Sequence, residues 1–122
     1  MEKAKIHSFT DLDCWKEGHK LVIMIYQAVR DFPQKELYIL TAQILRAAIS
    51  ITSNIAEGFS RRTKPDKRQF YYQALGSLTE LQNQLLIARD LKYLRNEKFH
   101  EIADQTVIVA KLIRSLIKYV ES

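Results

Sequence analysis

The chain reads as an all-α protein: an antiparallel up-down-up-down four-helix bundle forming one domain over residues 1–122. Three observations predict this. Four segments carry apolar residues at three-four spacing, the period of a helix with one buried face. Only three glycines and two prolines occur, which leaves long stretches without a helix breaker. No segment alternates apolar and polar residues as a half-buried strand would. Apolar residues make up 47% and charged residues 27%, the balance of a soluble globular domain, and 122 residues suffice for a single core.

The first helix is expected over about 11–31, with Thr10 as N-cap and Asp13 in a capping-box-like position. Leu12, Trp15, His19, Val22, Tyr26 and Val29 set its stripe, and Leu21, Ile25 and Ala28 widen it. Pro33 lacks an amide N–H and forces a corner. The second helix is expected over 34–57, with Leu37, Leu40, Ile44, Ala48, Ile51 and Ile55 inward. Gly58 suits the left-handed residue that ends many helices.

Thr63 can cap the third helix, with Pro65 in the first turn and Asp66 at the third position; the helix is expected over 65–93. Its stripe is Phe70, Ala74, Leu78, Leu81, Leu85 and Ala88. Gly76, next to Ser77 and near Ala74, suggests a close helix–helix approach, because glycine inside a helix costs about 1 kcal/mol against alanine. Asn96 is expected to cap a fourth helix over 97–120, with Phe99, Ile102, Thr106, Val109, Ile113, Leu116 and Val120 inward and Ile108, Leu112 and Ile117 as a second apolar edge. Helices 1 and 4 look wider on the apolar side than a lone bundle needs, which suggests burial against another subunit.

The charge is not spread evenly. Arg61, Arg62, Lys64, Lys67 and Arg68 fall within eight residues at the corner between helices 2 and 3, with Asp66 the only acid among them. That stretch carries +4 of a formal net charge of +5. A concentrated patch can hold a polyanion, whereas dispersed charge mainly aids solubility. Two readings fit: a phosphate-binding site, or a solvated loop and first turn. Phe70, Tyr71 and Tyr72 follow at once. Phe70 is expected in the core, and Tyr71 or Tyr72 could stack bases or fill a subunit interface.

A polar stripe along helix 2 comprises Gln43, Arg46, Ser50, Asn54 and Glu57. It fits a hydrogen-bonded subunit contact, a ligand surface or a solvated face. Glu57 sits near a helix C-terminus, where the dipole disfavours an acid, so a basic partner is expected among Arg46, Arg61 and Arg62.

Catalysis finds little support, and no enzyme, metal or cofactor is expected. His7, His19 and His100 lie far apart in sequence. Glu97-Lys98-Phe99-His100 has the Glu-x-x-His spacing of di-iron bundles, but only once, where two helices must supply it. Cys14 has no neighbouring activator and reads as a small buried residue; as the only cysteine it excludes an internal disulfide, in keeping with a reducing compartment. Residues 1–9 have no long apolar run, so no secretory signal is expected, and no stretch is long enough to span a bilayer. A cytoplasmic location is expected.

Trp15, Phe32-Pro33, Glu36-Leu37, Gln43-Ile44, Arg46-Ala47-Ala48, Ile49-Ser50, Ser53-Asn54-Ile55-Ala56-Glu57-Gly58 and Ala74-Leu75-Gly76-Ser77-Leu78-Thr79-Glu80-Leu81 form a recognisable set. With these landmarks the chain resembles the four-helix-bundle proteins encoded by intervening sequences within bacterial 23S rRNA genes. The resemblance covers roughly residues 9 to 94; the fourth helix matches in apolar pattern alone. It implies a bundle assembled into a toroidal homopentamer, and it marks Asn54, Glu57 and Gly58 as motif residues. The accessory protein of diversity-generating retroelements, a basic pentamer that partners a reverse transcriptase and nucleic acid, is a more distant relative.

The expected function is therefore that of a non-enzymatic oligomeric bundle. It would bind RNA or DNA, or a nucleic-acid-processing protein, through the basic corner. The alternative is a protein-interaction or structural scaffold with no nucleic-acid role.

Overall fold

The fold is given by a computed structural model that describes residues 5–122. Residues 1–4, part of the segment read as lacking a secretory signal, lie outside the described residues. Four α-helices follow in order: α1 Asp13–Ala28, α2 Leu40–Ser60, α3 Lys64–Asp90 and α4 Asn96–Glu121. Among the described residues there is no strand, and no helix is long and apolar enough to cross a membrane.

The helices form the expected four-helix bundle. α1 packs on α2 and α4, and α3 packs on α2 and α4, so each helix lies beside its chain neighbours and α4 closes on α1. Side-chain contacts give the directions. Glu17 meets Gln105 on α4, while farther along α1 Ala28 lines a groove with Asn96 at the start of α4. Adjacent helices are thus antiparallel.

One core runs through the bundle. Its fully buried side chains include Leu21, Ile25, Ile44, Ile51, Leu81 and Ile113. Burying an aliphatic side chain of this size contributes roughly 1.5–3 kcal/mol. Polar pairs tie three of the helix interfaces. Ser50 Oγ and Ser77 Oγ lie 2.8 Å apart between α2 and α3. Gln82 Nε2 donates to Thr106 Oγ1 (3.1 Å) between α3 and α4. Gln105 Nε2 donates to the Glu17 carbonyl (2.9 Å) and to Glu17 Oε1 (3.1 Å), and this amide holds the Glu17 carboxyl below its ordinary range. Such pairs resist axial sliding, because a shifted helix would leave part-buried polar groups unpaired.

Several ends differ from expectation. The N-cap of the first turn is Ser8, not Thr10. Ser8 and Asp11 form a reciprocal capping box around the 3₁₀ turn Phe9–Asp11, and α1 begins only at Asp13. The backbone amides of His7 and Ser8 lower the Asp11 pKa. The buried line of α1 is Cys14, Gly18, Leu21 and Ile25; Trp15 and Val22 flank it, and His19 is exposed and stacked on Trp15. α1 gives way to a 3₁₀ turn at Val29–Asp31, and Pro33 makes the expected corner.

α2 starts six residues later than expected, after the 3₁₀ turn Gln34–Glu36 and an exposed Leu37-Tyr38-Ile39 segment. No side-chain cap marks its start. It then runs through Gly58 to Ser60, so Gly58 is not a left-handed terminator: no glycine has positive φ. The left-handed terminator stands instead at Lys92 (φ 66°), which ends α3. The Tyr93 amide bonds the Ala88 carbonyl (2.9 Å) and the Lys92 amide bonds the Arg89 carbonyl (3.0 Å), a Schellman closure without glycine. α4 begins at Asn96, with Arg95 rather than Asn96 at the N-cap position.

Candidate nucleic-acid interface

The basic corner joins α2 to α3 through residues 61–63. Thr63 caps α3 as expected: its Oγ1 accepts from the Asp66 amide (3.2 Å), and Pro65 occupies the first turn. The corner is held tightly from within. Gly58 lies so close to α3 that an added Cβ would stand 2.6 Å from Tyr71 Cε1 and 3.0 Å from Phe70 Cβ.

This packing reverses the expected roles of the aromatic run. Tyr71 is 2% exposed and belongs to the core, Phe70 is half-buried and Tyr72 is 51% exposed. The stripe of α3 is therefore displaced by one residue at its first turns, because Tyr71 fills the space left by Gly58. Burial, with the neighbouring Cys14, pushes the Tyr71 phenol up to about 12, and burial pushes the Cys14 thiol up to about 12.

The five bases of the corner do not act alike. Lys67 Nζ donates to the Phe59 carbonyl (2.7 Å), lies 3.5 Å from the Gly58 carbonyl, and sits 5.4 Å from the Phe59 ring centroid. A cation is favoured there by the partial negative charge at the C-terminal end of α2. The Arg61 guanidinium stacks over Phe70 at 4.6 Å and lies 3.8 Å from Glu57. Arg61 is thus the basic partner expected for Glu57. Lys64 Nζ donates to the Ser122 carbonyl (3.3 Å), joining the start of α3 to the end of α4. Arg62 and Arg68 have no ion pair or hydrogen bond from their side chains among the described residues.

Two further cations, from far along the chain, flank Tyr72 on α3. Arg114 and Lys118 on α4 line a groove with Tyr72 and Leu75 on α3, and with Ile117 and Glu121. The groove encloses about 300 Å³. Sequence reading missed Arg114 and Lys118, since neither lies in a charge run; only the antiparallel register of α3 and α4 brings them beside Tyr72. Arg68 lies one turn before Tyr72, on the same side of α3.

The polar stripe of α2 partly assembles. Asn54 Nδ2 donates to the Ser50 carbonyl (2.8 Å) and Ser50 Oγ (3.0 Å), and Ser50 in turn meets Ser77. Gln43 and Arg46 are exposed. Gly76 is exposed and an added Cβ would meet nothing within 4 Å, so it marks no close helix approach, contrary to expectation. His7, His19 and His100 are exposed, and no three His, Cys, Asp or Glu side chains are grouped to hold a metal ion among the described residues.

Fold and corner together define a small basic four-helix-bundle protein. The chain belongs to the 23S rRNA-intervening sequence protein family, whose profile matches residues 10–115. Its fold is similar to the crystal structure of a protein with unknown function from the S23 ribosomal protein family of Bacteroides thetaiotaomicron VPI-5482. The TM-score is 0.80 and the identity 22%, over 86% of this chain and 95% of that one. At that identity the likeness shows the fold alone. No curated protein matches the chain.

Proposed function

We propose that this protein is a non-enzymatic homo-oligomer that binds the phosphate backbone of nucleic acid through the corner between α2 and α3. The observation that carries this reading is the set of uncommitted cations, Arg62 and Arg68, with Arg114 and Lys118 beside Tyr72. Arginines free of acidic partners suit bidentate phosphate contact. The reading is narrower than the linear cluster, because Lys67 and Arg61 serve the fold.

Self-association is supported by the face shared by α1 and α2. Ile23, Tyr26 and Ile49 are exposed there and Val22 and Leu45 half-buried, with Arg30 in the groove that Tyr26 and Leu45 line. The family resemblance implies five subunits, and a ring of them would repeat the corner and favour multivalent binding. The same apolar face favours the second reading, a protein-interaction scaffold, with a nucleic-acid-processing protein as one such partner.

Fluorescence anisotropy with labelled RNA and DNA at two salt concentrations tests the first reading. Four phosphate contacts per subunit give a log–log salt slope of about −3 on a single strand. Charge reversal at Arg62, Arg68, Arg114 and Lys118 should abolish binding while sedimentation still reports the assembled mass, for a pentamer five times the 14.3 kDa of the chain. An assembled wild type that binds nothing at low salt leaves the scaffold.

A further inference from the structure

We propose that the groove between α3 and α4 is a base-stacking site, which makes the corner selective for single-stranded over duplex nucleic acid. The proposal rests on the reading of the corner as a phosphate-binding surface and names its substrate class.

Tyr72 is half in solvent although it sits between two helices. Its hydroxyl donates to Glu121 Oε1 at 3.2 Å, which anchors the ring against the end of α4. Leu75 and Ile117 supply an apolar floor, and Arg114 and Lys118 supply charge on the α4 side. A groove of about 300 Å³ lies at the small end of ligand sites, suited to one planar group rather than a large ligand. A planar face beside backbone-directed cations is what sequence-tolerant single-strand binders use, since every base offers a π-face.

The acid in the groove sharpens the class. Glu121 would repel a phosphate placed over it, so the backbone must follow Arg68, Arg114 and Lys118 while the base lies on Tyr72. The Glu121 carboxylate can then accept a hydrogen bond from a base amino or imino group. A duplex cannot use this site: its bases are paired and stacked on each other, and extruding one costs a few kcal/mol. A flat phosphate surface would show no such preference.

The test uses the full chain and a single-stranded oligonucleotide carrying 2-aminopurine, whose fluorescence falls on stacking, beside a duplex of equal length. The wild type should quench the probe and bind the single strand roughly tenfold or more tighter than the duplex. Tyr72→Ala should abolish quenching and weaken single-strand binding to a similar extent, with the salt slope unchanged. Tyr72→Phe keeps the ring and should keep the quenching, which separates stacking from the Glu121 contact and guards against a misfolded alanine variant. Arg62→Glu/Arg68→Glu should weaken single strand and duplex alike. Equal binding of both forms, unaffected by Tyr72→Ala but lost in the charge-reversed variant, overturns the stacking site and leaves the corner standing. No binding by the wild type overturns both.

Discussion

Gly58 of α2 and Tyr71 of α3 are mutually exclusive with any larger side chain at position 58: a Cβ there would lie 2.6 Å from Tyr71 Cε1 and 2.9 Å from Cδ1. The glycine is a contact surface for a buried ring at the corner that carries the basic residues. Gly58→Ala should therefore destabilise the protein despite alanine's helix preference of about 1 kcal/mol. Overpacking of this kind costs about 1–3 kcal/mol, and the Tyr71 ring, buried in the core, has little room to retreat. Thermal denaturation should show a melting temperature lower by several degrees; an unchanged or higher value would contradict the contact.

Gly76 gives the opposite sign. It lies inside α3, exposed, with nothing within 4 Å of an added Cβ. Gly76→Ala should stabilise by about 0.5–1 kcal/mol, through lower chain entropy in the unfolded state and higher helix propensity. Urea denaturation should show a raised midpoint with an unchanged slope. A loss of stability would mean that this face is covered by a neighbour that needs the small residue.

Lys67 and Arg62 should separate in a stability assay. Lys67→Met removes the cation that donates to the Phe59 carbonyl and should cost about 1 kcal/mol. Arg62→Met touches no partner and should stay within about 0.5 kcal/mol of wild type. Chemical denaturation of the two variants in parallel reads the difference. Equal effects would return Lys67 to the free patch.

The stability of the fold should fall at alkaline pH. Burial raises the Cys14 thiol from 9.0 and the Tyr71 phenol from 10.0, each to about 12. Both groups hold their protons more tightly when folded, so below pH 9 neither contributes a pH dependence. Above pH 9 the unfolded chain loses protons that the folded chain keeps, and stability drops by up to about 1.4 kcal/mol per pH unit for each group until the folded values are reached. Denaturation midpoints measured from pH 8 to pH 11 should decline, and Cys14 should resist alkylation at pH 8 until the protein is unfolded. Rapid alkylation of the native protein would show that Cys14 is not enclosed.

The bundle itself was legible because apolar spacing is a local property. Ile44, Ala48, Ile51 and Ile55 on α2, and Ile102, Thr106, Val109 and Ile113 on α4, are buried as their spacing predicts. The phase and ends of the stripes were less legible. A helix face about 100° wide tolerates a one-residue shift, so Phe70 and Tyr71 compete for the same role until α2 is packed against them. Helix ends without a side-chain cap, such as the start of α2, leave no local mark. Left-handed terminators are read from glycine, yet here Gly58 continues a helix and Lys92 ends one.

By itself, then, the sequence determined four amphipathic helices, their order, the corner at Pro33, the cap at Thr63 and a concentrated run of positive charge. Tertiary structure alone decided which of those charges are free. Lys67 is drawn to the last carbonyls of α2, Arg61 to Phe70 and Glu57, and Lys64 to the end of α4. It also decided that Arg114 and Lys118 stand beside Tyr72, more than forty residues away along the chain. Charge along a chain is fixed by residue order, but the field at a surface is a sum over space, and the antiparallel register of α3 and α4 sets that sum.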